Sequence, residues 1–262
     1  MNYMRKIIFL IFIISASFGA SAQKSKKQRQ QEKRAHIDNL IKEEEEGVIA
    51  YKKSFVFGAK FISDGYGVFF ELGRANSVKK STLYQLEISE RKNVKEDKQS
   101  NPYVNSIPFI YGKKNFFYPV KLGVQQQILL GNKSNKNGVS ITGNYGGGIS
   151  LALLRPYYIQ VQKGNEIIFV KYNSPDSSLF LDGPFVGGPT FSKGWSEITV
   201  TPGLYAKTSL RFDYGSYNEI ISAVEVGMTG EFYSKKVPIL LSIPQKQFFF
   251  SAYVAILFGK RK

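Results

Sequence analysis

With one histidine and no cysteine in 262 residues, any chemistry in this chain must come from carboxylates, lysines and hydroxyl groups. Two carboxylate pairs invite attention by spacing alone, Glu87 with Glu90 and Glu225 with Glu231, because paired carboxylates can divide general-acid and general-base work. A rim enzyme acting on lipid is the competing class. It needs an imidazole within hydrogen-bond reach of a Ser or Asp partner, and the one imidazole, His36, lies in a charged N-terminal stretch outside the patterned part of the chain. The glycine run Gly146-Gly147-Gly148 has no Gly-Lys-Ser/Thr after it and sits within an alternating segment, so it is no phosphate cradle. Thiolate ligands are missing and no Asp-x-Asp loop is present, so no metal constellation is visible. The reading is no catalytic residue, no metal and no cofactor: not an enzyme.

The charges make better sense once the elements that carry them are drawn. From Asn115 to Leu154 the residues alternate: Phe116, Tyr118, Val120, Leu122 and Val124 form one set, and after a polar turn Val139, Ile141, Tyr145, Ile149, Leu151 and Leu153 form another. Ser, Thr, Asn and Gly fill most of the positions between the second set. A strand sends successive side chains to opposite faces, so this is a hairpin with one apolar face and one small, polar face. Lipid outside and a narrow interior fit that combination better than a soluble sandwich does. Eight such segments are expected, at about 54–62, 66–75, 82–92, 115–130, 139–161, 197–214, 220–234 and 246–259. The last carries Phe248, Phe250, Ala252, Val254, Ile256 and Phe258 on its lipid side.

Carrying the same parity through every strand turns Lys60, Glu71, Glu87, Lys121, Lys207, Arg211, Asp213, Glu225 and Glu231 inward, four cations against five carboxylates. An eight-stranded barrel is just wide enough for side chains to fill, so these charges predict a plugged, ion-paired interior. A narrow passive pore is the alternative, and it would ask for more strands.

The connections give the sidedness. Gaps 76–81, 131–138 and 215–219 are short and polar, whereas 93–114, about 162–196 and 235–245 are longer, with Ser63-Asp64-Gly65 as a tight turn among them. Short periplasmic turns with longer extracellular loops are the topology of outer-membrane barrels. The N-terminus agrees: Arg5 and Lys6, then the apolar Ile7–Ile14 and Ala20-Ser21-Ala22, predict a signal peptide over 1–22 cleaved near Ala22. Residues 23–47 are expected to be a charged periplasmic tail, with Ile37, Leu40 and Ile41 at helical spacing, and 48–262 the barrel. The net charge of +16 in an exported chain points to anionic lipid, lipopolysaccharide among it, or an acidic protein face, not to nucleic acid.

Function is left to the loops. Ile107–Tyr111 and Phe180–Pro189 are apolar and shaped by Gly and Pro, and Trp195 is the single tryptophan. Such loops either cap the barrel mouth or present a docking face, with Tyr111, Phe185 and Trp195 as aromatic anchors. Lys113, Lys114, Arg155 and Lys193 flank them as candidates for lipopolysaccharide phosphates.

Three stretches carry a family resemblance: Tyr111-Gly112-Lys113-Lys114-Asn115-Phe116-Phe117, Gly146-Gly147-Gly148-Ile149-Ser150-Leu151 and Leu154-Arg155-Pro156-Tyr157-Tyr158. With them, residues 48–262 resemble the small eight-stranded outer-membrane barrels of Bacteroidota, in the broad OmpA/OmpX-like group. The ending Gly259-Lys260-Arg261-Lys262 after Phe258 departs from the proteobacterial habit of finishing on the aromatic. Small barrels of that phylum include accessory subunits of assembly and secretion machinery. The resemblance therefore implies a structural or accessory subunit of a larger envelope complex, and it carries over no catalytic residue.

Overall fold

The computed structural model describes residues 51–262 apart from 104–105, 134–137, 174, 176 and 216–218. The expected signal peptide, the charged tail and His36 lie outside the described residues. Eight long strands dominate the rest: β1 (Lys53–Ile62), β2 (Gly65–Ser77), β3 (Lys80–Arg91), β4 (Asn115–Gly131), β5 (Ser140–Pro156), β6 (Thr199–Asp213), β7 (Ile220–Val237) and β8 (Lys246–Arg261). Each pairs antiparallel with its neighbours in the chain, and the ring closes as β1 meets β8 in a register running from Ser54 opposite Arg261 to Ile62 opposite Tyr253. Closure leaves no unpaired strand edge, which matters in a medium that offers backbone groups no hydrogen bonds.

The alternation in the sequence becomes the two surfaces of this wall. Phe57, Leu72, Leu122, Leu204, Phe232 and Phe250 are exposed on the outside, while their chain neighbours Glu71, Lys121 and Glu231 are buried inside. A band of large apolar side chains around the circumference is far more than a soluble monomer leaves in water, and it is the surface that faces lipid. Among the described residues no helix is long and apolar enough to cross a membrane. The strands do the crossing.

Two expectations about the elements need correction. The segment read as 139–161 ends as a barrel strand at Pro156, and Ile159–Lys163 belongs to a different sheet. The long connections are also not plain loops. Ile159–Lys163 pairs with Glu166–Val170 around Gly164, whose φ of 63° suits a glycine, and Phe185–Gly187 adds a third strand. A six-residue helix, Ser177–Asp182, packs beside them through the buried Phe180, and Lys98–Gln99 pairs with Phe109–Ile110.

A charge placed on the outer wall should be costly in proportion to depth. Leu122→Arg, halfway along β4, is expected to lower the unfolding free energy from lipid vesicles by about 2–4 kcal/mol, and Leu130→Arg, near the strand end, by about 1 kcal/mol or less. Urea titration of both variants checks this, and equal costs at the two depths would contradict lipid contact.

Candidate functional site

The nine inward charges lie in one column inside the ring, and each has an opposite charge within reach. Near the loop end, Lys60 Nζ donates to Glu87 Oε2 at 2.5 Å. Lys121 Nζ bridges Glu87 Oε1 at 3.0 Å and Glu231 Oε1 at 2.7 Å. Near the short-turn end, Arg211 donates through Nη1 and Nη2 to the two oxygens of Glu71 at 2.9 and 2.8 Å, and through Nε to Glu225 Oε2 at 2.8 Å. Glu225 is the hub of this half: Lys207 lies at 2.9 Å, the Tyr253 hydroxyl donates at 2.7 Å and Asn144 Nδ2 at 3.2 Å. Asp213 pairs with Lys133 and Arg261 below. Between the halves the Tyr253 ring lies near two like charges, with Lys60 Nζ 4.0 Å and Lys207 Nζ 5.2 Å from its centroid. Both cations gain from the aromatic ring.

The glycine run has its use here. Gly148 lies between Gly123 on β4 and Tyr205 on β6, and a Cβ built on Gly123 would stand 2.4 Å from the Tyr205 hydroxyl oxygen. Glycines in that row let the tyrosine lie across the inner wall, where Lys121 Nζ is 5.9 Å from its ring.

Neither carboxylate pair is an acid/base dyad. Three residues apart in a strand means opposite faces, so Glu87 is inside whereas Glu90 is outside, accepting a 2.6 Å hydrogen bond from the Tyr66 hydroxyl. Glu225 and Glu231 share the inner face but are about 20 Å apart along β7 at the usual rise, and each is neutralised by its own cations. No cluster of three or more metal-ligating side chains occurs among the described residues.

Arg91 is the functional side chain that the sequence reading passed over. Fully buried, it donates to Glu231 Oε1 at 2.8 Å and pairs with Asp64 in the β1–β2 turn. The signal was available: Arg91 is four residues beyond Glu87, on the same face, and it evens the four-to-five balance. With it the column is closed to water. Glu71 and Glu225 are 0% exposed and Lys121 and Glu231 1%, and the space at the short-turn mouth beneath Arg211 is only about 40 Å³.

At the other mouth the loops form a cap with its own core. Tyr157, Ile159, Val161, Val170, Phe180 and Leu240 pack down onto Phe117 and Tyr233 of the barrel. Lys113 is buried in it, donating to Glu96 at 2.5 Å with its ammonium 4.7 Å from the Phe116 ring centroid. Burial holds the Lys113 ammonium below its usual range, opposed in part by Glu96. The same burial pushes the Tyr157 hydroxyl up to about 12, and it accepts the Ile110 N–H at 2.8 Å. Arg155 is buried against Phe116 and Trp195, with ring centroids at 4.1 and 4.7 Å, and donates to the Phe191 carbonyl. Lys113 and Arg155 are thus packing elements, unavailable to lipopolysaccharide phosphates, while Lys114 and Lys193 lie over the Tyr172 and Phe169 rings.

The three aromatic anchors do not form one patch. Tyr111 is exposed and meets the half-buried Phe185 edge-on at 6.0 Å. Trp195 instead stacks at 5.8 Å on Tyr118, an outward residue of β4, and donates to the Phe191 carbonyl, which is where an interfacial aromatic belongs. A cleft of about 320 Å³ lies between Lys114, Lys171, Tyr172 and Glu197. Hydrogen bonds from Lys171 and the Tyr158 hydroxyl hold the Glu197 carboxyl below its usual range.

No family model and no curated protein sequence matches the chain. Among solved structures it is similar to the N-terminal β-barrel domain of Pseudomonas aeruginosa OprF, at 9% identity and a TM-score of 0.36 over 80% of this chain and 98% of that one. Neisserial surface protein A gives 10% identity and 0.36 over 81% and 96%. Ail, the attachment invasion locus protein of Yersinia pestis, gives 9% identity and 0.38 over 81% and 100% in its complex with the heparin analogue sucrose octasulfate.

Removing the hub of the column should cost more than removing the pair it serves. Glu225→Gln leaves Lys207 and Arg211 buried without their shared anion and is expected to lower stability by about 3–5 kcal/mol. Glu225→Gln combined with Lys207→Met should recover part of that, read as the urea midpoint of the folded, gel-shifting band.

Proposed function

We propose that this protein is an outer-membrane barrel that conducts nothing and catalyses nothing, and that serves as a structural or accessory subunit of a larger envelope complex through its capped loop end. The observation that carries the reading is the dry, charge-balanced column: a barrel filled with ion pairs has neither an aqueous path nor a free acid or base. What remains to act is the outside. The outer wall takes lipid, with lipopolysaccharide at the rim around Trp195, Lys114 and Lys193. The loop cap leaves Val94, Tyr103, Ile107 and Tyr111 exposed, and apolar side chains displayed in this way suit protein docking. In this orientation the long loops are extracellular, and the start of β1 and the end of β8 lie together on the periplasmic side, as an even strand number requires.

Two measurements test the reading. Planar bilayers containing the purified barrel should be silent, and stepwise conductance would overturn the sealed column. Tagged protein solubilised in mild detergent should retain a stoichiometric partner that Tyr103→Asp with Tyr111→Asp loses, while the variant keeps its heat-modifiable folded band. Recovery of the wild type alone would count against the accessory role.

A further inference from the structure

Charge is unevenly arranged on the outside of the barrel. At the loop end the exposed lysines are interspersed with Asp97, Glu166, Asp182 and Glu197. At the short-turn end of β8, β1, β2 and β3 the outward positions are Lys260, Lys53, Arg74 and Lys80, all exposed, and Glu219 is the one exposed acidic side chain at that end among the described residues. The corresponding edge of β4–β7 is apolar, with Leu130, Val139, Tyr214 and Ile220 exposed. Among the described residues the exposed basic edge is therefore confined to four contiguous strands.

Its internal arrangement asks for an anion. Lys53 and Arg74 are directly opposite in the β1–β2 ladder, side by side on the outer face. Like charges so placed destabilise a sheet, and no carboxylate pairs with either among the described residues. Depth identifies what could sit there. Lys53 and Arg74 are each two residues past the lipid-facing Phe55 and Leu72, a step of about 7 Å, and Lys260 lies opposite Phe55 itself. The cations thus line the lower border of the apolar band and point sideways, at headgroup level, not down toward soluble partners.

We propose that this edge is a binding site for the phosphate of an anionic phospholipid, bridging Lys53 and Arg74 with Lys260 and Lys80 at its sides, its acyl chains lying against Phe55, Phe57, Leu72 and Phe258. The site rests on the barrel crossing a bilayer and not on the loop-docking reading, and its test needs no protein partner.

The mature protein is reconstituted into vesicles of phosphatidylcholine alone or mixed equally with phosphatidylglycerol. Retained lipid is counted by native mass spectrometry of the extracted barrel, and the thermal midpoint is recorded in each vesicle. Wild type should retain phosphatidylglycerol preferentially and melt higher in the mixture. Arg74→Gln should reduce that preference about fivefold, the effect of one basic side chain near a lipid surface, and should raise the midpoint in phosphatidylcholine by relieving the repulsion with Lys53. Arg74→Lys should retain the preference, and Lys80→Gln gives a second reading should Arg74→Gln not fold. Lys235→Gln with Lys236→Gln, at the loop end, should leave it intact. Equal retention of both lipids by the wild type, or an equal loss in the loop-end variant, overturns the site. So does a preference that emerges only when Glu43–Glu46 are changed to Gln, since the chain's own acidic run would then be the occupant.

Discussion

The inner wall of this barrel leaves its charged groups almost no exposure, so each of them must meet an opposite charge there. The rest of this structure follows from that constraint. Ionised groups at near-zero exposure would be prohibitively costly if isolated, and a carboxylate such as Glu225 is tolerable because Lys207, Arg211, Tyr253 and Asn144 all converge on it. An apolar filling of the same volume would be at least as stable by the usual arithmetic of buried ion pairs. What the polar filling supplies is directional bonding across the barrel, from β2 to β6 through Glu71 and Arg211, and from β3 to β7 through Arg91 and Glu231. Such cross-wall bonds fix strand order and register in a wall whose outer face is too uniformly apolar to do so.

The same parity that builds the column makes most of the fold legible in the sequence. Phe248 to Phe258 in alternation with Ser251, Tyr253, Ala255 and Leu257 leaves little choice about which face is which. The nine charges read inward are all buried, because a period of two, once phased, carries through a whole strand. The reading failed where the phase was not carried to its end. Arg91 is on the face already assigned to Glu87, and Glu90 is on the other, yet spacing by count grouped Glu87 with Glu90. The loop cap was hidden for a different reason. Leu151, Leu153, Ile159 and Val161 share one parity across Pro156, so the pattern by itself joins two strands that the proline divides. Nothing local reveals that Ile159 and Val161 pack against Phe180 and not on lipid, because that contact depends on how the chain returns over the mouth.

The cap also explains the basic residues at the loop end. Lys113 and Arg155 look like surface phosphate ligands in the sequence because they flank the bilayer border. Their side chains are instead covered by protein, Lys113 reaching Glu96 within the cap and Arg155 lying among Phe116, Tyr118, Trp195 and Phe191 on the outer face. Long cationic side chains bury their stems readily, and aromatic faces take the charge where carboxylates are scarce. Position along the chain is thus a poor guide to whether a cation at a membrane border faces a lipid.

At the short-turn end the opposite holds. Turns of a few residues cannot fold over the barrel, and among the described residues no carboxylate side chain pairs with Lys53, Arg74, Lys80 or Lys260. Inside the barrel, Lys133 and Arg261 satisfy themselves on Asp213. Outside, a cation between an apolar belt and water lies where anionic lipid headgroups gather, which is the setting of the phosphate site proposed above. The loop end is instead sealed by its own hydrophobic core.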